Sequence, residues 1–265
     1  MKQLGFIGAG NMGSAIINGV LAAGWRASDI WVSDADERQL VRLAGEKGIH
    51  IGSNEEVAAA SDVVLLCVKP HIYETVAEQI KQHLRPGAIV VCIAAGISHS
   101  WMAFHFGDDV KIVRAMPNTP ALVGKGMTAI SPGGLVNEND MSLVMSIFGS
   151  LGKAEILEER LFNAFIGVAG SSPAYAFMLI EAMADAGVKY GLPRAKAIEF
   201  SAQAVLGAAE MVLQTGQHPA ALRDAVCSPG GATIEAVCEM ERQGLRNAVI
   251  SGVQACIEKA FKMEE

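Results

Sequence analysis

LGFIGAGNMG, residues Leu4 to Gly13, is the stretch on which the reading of this chain turns. Gly8, Gly10 and Gly13 fall on the spacing G-x-G-x-x-G, the apolar, β-prone Leu4, Phe6 and Ile7 precede them, and a helical pattern follows. That strand, turn and helix setting is what the motif requires to mean anything. In such a turn Gly8 allows the tight reversal, Gly10 lets a pyrophosphate come close to the backbone, and Gly13 lets the helix lie close to the strand. Asn11 opens the helix, with Met12 beside it in the same turn. Phosphates then sit at the positive end of the helix. A glycine-rich turn alone is common, but this one heads a βαβ pattern, and it predicts a dinucleotide site.

Composition narrows the classes. The 265 residues can fill one large or two ordinary domains, and with 51% apolar and only 18% charged residues the chain is more hydrophobic than its own surface needs. A large subunit interface is therefore expected. Twenty-one basic residues against 28 acidic ones, a net charge of -7, leave no electrostatic footprint for nucleic acid. Any anionic ligand must be held by local donors. The five cysteines, Cys67, Cys92, Cys227, Cys238 and Cys256, are widely spaced within apolar segments and read as reduced thiols of a cytoplasmic protein. Lys2 and the Ala22-Ala23-Gly24 triplet superficially suggest a signal peptide, but the glycine fingerprint between them explains that segment better. Ala88 to Ile97, the longest uncharged apolar run, is about half of a membrane span. No membrane association is expected.

From Gln3 to about Met116 strand-like and helix-like segments alternate. Strands are predicted at Asp29–Ser33, His50, Val63–Val68, Ile89–Ala94 and Lys111–Ala115, with helices over Ser14–Ala23, Asp36–Glu46, Asn54–Ala60 and Tyr73–Leu84. Uninterrupted apolar runs such as Val63–Val68 belong to strands covered on both faces, so the pattern predicts a parallel sheet with right-handed crossovers. Met127–Ile130 is a further candidate strand and Glu138–Phe148 a helix. Beyond Leu161 nearly everything is helix-forming, with starts at Ser172-Pro173, Leu192-Pro193, His218-Pro219 and Ser228-Pro229 and stops at Gly191, Gly216 and Gly244. The fold class is α/β, a Rossmann-type parallel sheet followed by an all-helical dimerisation domain, divided as residues 1–155 and 156–265. The helices Tyr175–Tyr190 and Ala195–Leu213 are apolar over much of their circumference, as core helices or helices packed between subunits are.

Several positions then stand out as ligand contacts. Asp34 follows Gly13 by twenty-one residues, near the place of the acid that accepts the ribose 2′-hydroxyl of NAD. Ser33, Arg38 and Asn54 are equally placed to serve a 2′-phosphate, and Asp34 and Asp36 are also natural caps of the next helix. Strand ends continue the cofactor crevice at Val68-Lys69-Pro70 and Ala94-Ala95-Gly96, where Lys69 can reach a phosphate or ribose and the small residues admit a nicotinamide ring. In Arg114-Ala115-Met116-Pro117-Asn118-Thr119-Pro120 two prolines stiffen a polar turn, which makes it either a nicotinamide holder or a plain connection. In Cys227-Ser228-Pro229-Gly230-Gly231-Ala232-Thr233, Ser228 reads as N-cap and Pro229 as first helical residue. The paired glycines cost helix stability unless a ligand must reach the backbone N–H groups, which suit a carboxylate. Gly170-Ser171-Ser172-Pro173 repeats this arrangement. There is no H-E-x-x-H, metal-spaced cluster or G-x-S-x-G elbow. His99 and His105 read as ordinary helix residues. Chemistry that needs a strong general base is a poor match.

Taken together, FIGAGNMG (Phe6–Gly13), CVKP (Cys67–Pro70), AAG (Ala94–Gly96), RAMPNTPALVGKG (Arg114–Gly126), GSSPAYAF (Gly170–Phe177) and CSPGGATIEAV (Cys227–Val237) resemble the pyrroline-5-carboxylate reductases, enzymes of proline biosynthesis. The resemblance spans almost the whole chain. It implies a Rossmann domain binding NADPH or NADH, and a helical domain forming an interlocked homodimer that often assembles further. It also implies carboxylate and ring-nitrogen contacts at Ser228, Gly230, Gly231 and Thr233, adenosine-side contacts at Ser33 and Asn54, and nicotinamide-side contacts at Lys69, Ala95 and Asn118. Asp34 departs from many relatives and puts their NADPH preference in question here. Two other readings stay open. A β-hydroxy acid dehydrogenase would need a lysine to accept the alcohol proton, and Ser171–Phe177 has none; a dinucleotide-responsive binding protein would show no turnover.

Overall fold

The structure, a computed structural model, describes residues Lys2 to Glu264. Two compact units emerge: the first takes the chain up to Gly170 together with its end from Ile257, and the second is Ser171–Cys256.

The first unit alternates strand and helix: β1 (Leu4–Ile7), α1 (Asn11–Ala22), β2 (Ile30–Ser33), α2 (Glu37–Lys47), β3 (His50–Ile51), α3 (Asn54–Ala60), β4 (Val63–Leu66), α4 (Tyr73–Ile80), β5 (Ile89–Cys92), α5 (His99–Phe106) and β6 (Lys111–Met116). It continues with β7 (Gly126–Pro132), α6 (Glu138–Gly149), β8 (Gly152–Ile156) and the short α7 (Phe162–Phe165). The strands form one eight-stranded sheet ordered β3-β2-β1-β4-β5-β6-β7-β8. Alternate residues of each strand feed opposite faces. Phe6, Val32, Leu65 and Val91 join one buried cluster, while Ile7, Val64, Leu66, Val90 and Cys92 join the other. Both faces being covered is why these strands are apolar without alternation.

Helix boundaries follow local chemistry. The Asp36 carboxylate accepts the Arg38 N–H at the start of α2, and Gly48, left-handed at φ 70°, ends that helix. Ser53 and Glu56 form a reciprocal capping box on α3.

Two features depart from the expected parallel sheet. β7 runs antiparallel to β6, because the link between them, Pro117 to Lys125, holds only a 3-10 turn and is too short for the crossover a parallel pair requires. β8, parallel to β7 at the sheet edge, lies outside the strands that the sequence predicts. Its sequence, GKAEI, has no apolar run because an edge strand carries charge instead.

The second unit holds α8 (Ser172–Lys189), α9 (Arg194–Thr215), α10 (Pro219–Val226), α11 (Ala232–Arg242) and most of α12 (Leu245–Phe261). α8 and α9 pack against each other, burying Ala184, Ala197 and Ser201. Their larger apolar side chains are not covered within one chain: Met178 is 70% exposed and Phe177 64%. The helical stretch Glu159–Lys189 is long and apolar enough to cross a membrane by composition alone, and only 11% of its most apolar window is buried.

Candidate active site

The glycine turn between β1 and α1 has the geometry a pyrophosphate needs. Gly8 adopts φ 100°, and a Cβ there would lie 2.8 Å from the Cys67 carbonyl group. A Cβ on Gly13 would collide with the Gly8 carbonyl oxygen, so only glycine lets α1 lie this close to the turn. Beside Gly10, by contrast, there is open space to 4 Å. Gly10 is also the N-cap of α1 and supplies no side-chain cap, while Gly10 and Asn11 are exposed. The first N–H groups of α1 are therefore free to bind an anion. Met12 is half-buried, and Ser14 turns its hydroxyl to the Ala9 carbonyl at 2.7 Å. These residues fit a dinucleotide.

At the end of β2, Asp34 is held in a fixed orientation. One of its carboxylate oxygens accepts the Ala9 N–H at 2.5 Å and the other the Asp36 N–H at 2.9 Å. Ser33 is buried and donates its hydroxyl to the Asn54 side-chain oxygen at 2.6 Å; Asn54 in turn donates to the Gln79 side-chain oxygen at 2.6 Å. A cleft of about 460 Å³ opens beside Gly10, Asn11, Asp34, Gln39 and Arg42.

Further along the same sheet edge, Val68 is half-buried, Lys69 is exposed, and Pro70 starts a 3-10 turn leading into α4. Ala94 is buried and Ala95 half-buried; Gly96 has φ 80°, and a Cβ there would meet the Met263 carbonyl oxygen at 2.8 Å. Asn118, offered by sequence as a nicotinamide holder, has its amide committed inside the protein. Its Nδ2 donates to the Ala169 carbonyl at 2.9 Å and its Oδ1 accepts the Met127 N–H at 2.9 Å. What it visibly does is lock the turn after β6.

Just before that turn lies a cluster that sequence reading missed. Arg114, 1% exposed, forms ion pairs with Glu159 at 3.0 Å and Glu264 at 2.6 Å, and its guanidinium lies 4.9 Å from the Phe162 ring centroid. Glu159 also accepts the His99 backbone N–H at 2.7 Å, and Asn163 donates to Glu264 at 2.8 Å. The His99 side chain, its backbone N–H and Arg114 outweigh burial and hold the Glu159 carboxyl at about 2, well below the usual carboxylate range.

In the second unit the glycine pair behaves differently from its sequence reading. Ser228 is not the N-cap of a helix beginning at Pro229. Ser228 to Gly231 form a turn, closed by the Gly231 N–H to the Ser228 carbonyl at 3.0 Å with Gly230 at φ 67°, and α11 begins only at Ala232. Two glycines make that turn cheaper than the first turn of a helix. Gly231 becomes the N-cap and provides no side-chain cap. Ser228, Gly230 and Thr233 are exposed around this helix start. The companion motif at Ser171-Ser172-Pro173 lacks this openness, since the π-helical turn Ile166–Gly170 already precedes α8 and the Cys256 thiol donates to the Ser171 hydroxyl at 3.3 Å. Of the two helix starts proposed from sequence as anion sites, only that of α11 is open.

Residues 159–263 match the family model for pyrroline-5-carboxylate reductase dimerisation, and residues 3–96 match that for NADP oxidoreductase, coenzyme F420-dependent. The reductase of Escherichia coli K12 is 48% identical over 100% of this chain and 99% of its own. The chain belongs to the pyrroline-5-carboxylate reductase family. The Arabidopsis thaliana reductase is 39% identical over 99% of this chain and 96% of its own. Among solved structures, the reductase of Coxiella burnetii matches 100% of this chain and 99% of its own with a TM-score of 0.94 at 33% identity. That of Plasmodium falciparum, solved with NADP bound, matches 100% and 98% with a TM-score of 0.90 at 31% identity. This reductase therefore carries the family's dimerisation domain behind a nucleotide-binding fold, as its sequence motifs implied.

Proposed function

We propose that this chain reduces 1-pyrroline-5-carboxylate to L-proline with NAD(P)H, the nucleotide held within residues 1–155 and the substrate by residues 156–265. One observation carries the assignment of the substrate: the start of α11 is an exposed helix N-terminus without a side-chain cap, in a chain matched end to end by reductases of this substrate. When bound, a reduced nicotinamide would supply the hydride that carbon C5 of the imine accepts. The first N–H groups of α11 after Gly231, with the Ser228 hydroxyl and the backbone of Gly230, hold the substrate carboxylate by the partial positive charge of the helix end. Thr233, in the first turn of α11, donates a hydrogen bond to the ring nitrogen. That nitrogen takes up a proton readily, so the protein's task is to orient two reactants, and no strong base is required. Orientation of this kind contributes on the order of 7–11 kcal/mol.

On the nucleotide side, Gly8, Gly10, Asn11, Met12 and Gly13 hold the pyrophosphate, with Ser33, Asp34 and Asn54 at the adenosine. Val68, Lys69, Pro70, Ala94, Ala95, Gly96 and the backbone at Asn118 line the nicotinamide end. The test is direct. Adding pyrroline-5-carboxylate to enzyme and reduced nucleotide should bleach the nicotinamide absorbance and yield proline. Bleaching with a β-hydroxy acid's keto form alone, or binding without bleaching, would overturn the assignment.

The exposed apolar faces of α8 and α9 are proposed to be covered by a second copy in a cytoplasmic homodimer, and a higher oligomer would need contacts beyond these faces. Sedimentation should show no monomer at micromolar protein. Charging the face with Phe177→Asp and Met178→Glu together should release monomers, because two carboxylates cannot be buried unpaired in such an interface.

A further inference from the structure

The turn that receives the adenosine ribose is acidic. Asp34, Asp36 and Glu37 lie within four residues, answered only by Arg38 and Arg42. Asp34 and Asp36 both line the cleft beside Gly10, and Asp34 is the one held rigidly against the glycine turn, its two oxygens anchored by the Ala9 and Asp36 N–H groups at 2.5 and 2.9 Å. A carboxylate fixed in this way still has lone pairs to accept from ribose hydroxyls. It has nothing to donate to a phosphate.

The neutral groups that could favour a 2′-phosphate are partly engaged, and the two arginines nearby are exposed. The Ser33 hydroxyl is spent on Asn54 at 2.6 Å, and one Asn54 N–H is spent on Gln79 at 2.6 Å. Arg42 donates to the Gln39 side-chain oxygen at 2.8 Å, while Gln39 itself donates to the Ala9 carbonyl at 2.9 Å. Arg38 is almost fully exposed and faces Asp36 at 3.9 Å. A 2′-phosphate, carrying about -1.5 to -2 charges at neutral pH, would therefore lie beside a fixed carboxylate, with the exposed Arg38 and Arg42 as the cations of this turn.

We infer that this chain takes NADH in preference to NADPH, with Asp34 as the residue that decides. The inference rests on the proposal that the β1–α1 turn holds the nucleotide of the reductase reaction, and it goes beyond it by choosing the nucleotide. Because the repulsion is electrostatic, the preference narrows as salt screens it.

Titrating the purified full-length protein with NADH and with NADPH, followed by nicotinamide fluorescence and by thermal shift without substrate, tests the inference. NADH is expected to bind at least about tenfold more tightly at low ionic strength, the ratio shrinking in high salt. Asp34→Asn and Asp34→Ser should each move the ratio toward NADPH by about tenfold. The asparagine keeps an oxygen for the Ala9 N–H, so a loosened turn alone would weaken both nucleotides together and leave the ratio where it was. Equal or tighter binding of NADPH by the unaltered protein, or an unmoved ratio in both variants, overturns the inference. Binding of neither nucleotide overturns it together with the nucleotide reading. Failure to reduce pyrroline-5-carboxylate while the NADH preference persists overturns the reductase assignment alone.

Discussion

Thr233→Ala is expected to lower kcat by about two to three orders of magnitude, the usual cost of removing one preorganised donor from a reacting centre, with little change in nucleotide affinity. The reasoning starts from position. Thr233 lies in the first turn of α11, which starts at Ala232, and its side chain is exposed beside the uncapped N-terminus. A group there can touch a small acid whose carboxylate is bound by the same helix end. Losing its hydroxyl leaves the ring nitrogen without a fixed partner as the carbon beside it accepts a hydride. Thr233→Ser restores the hydroxyl and should recover most of the rate. A role confined to holding the helix would instead alter stability in both variants and give serine no special rescue. Comparable kcat in Thr233→Ala and the unaltered enzyme, measured at saturating substrate, would remove Thr233 from the mechanism.

How much of this was legible beforehand depends on how local the signal is. The glycine turn was readable because each glycine answers a constraint within a few residues: Gly8 its positive φ, and Gly13 the approach of its own helix. Strands covered on both faces were readable from their apolar runs. The direction of β7 could have been deduced from the short link before it, but β8 is a charged edge strand with no apolar signature. Ser228-Pro229 imitates a helix start, and the positive φ of Gly230 postpones the true one to Ala232. The charge cluster was invisible because Arg114 finds Glu159 and Glu264 at sequence separations of 45 and 150 residues. No spacing rule reaches that far.

That cluster carries the second large effect. Arg114→Met is expected to lower stability by about 3 kcal/mol, at the low end for breaking a buried ion pair because Glu159 and Glu264 are themselves partly exposed. For a chain of this size that corresponds to a fall in Tm of about 6–12 °C. The methionine fills much of the space, so packing alone would cost far less. The pH dependence separates charge from packing. The Glu159 carboxyl, held at about 2 in the folded protein, titrates well below its ordinary value. A depressed folded pKa contributes stability that is complete above the ordinary carboxylate range and is lost as pH falls toward the folded value. The unaltered protein should therefore lose part of its stability between about pH 4.5 and pH 2. In Arg114→Met the carboxyl moves back toward its ordinary value, and this acid limb should become shallower, though not flat, since His99 remains hydrogen-bonded to Glu159. A parallel loss of stability at every pH would mean that the guanidinium acts as bulk beneath Phe162. Its charge would then have no part in holding the strand that ends at Met116, or the locked turn at Asn118 that follows it.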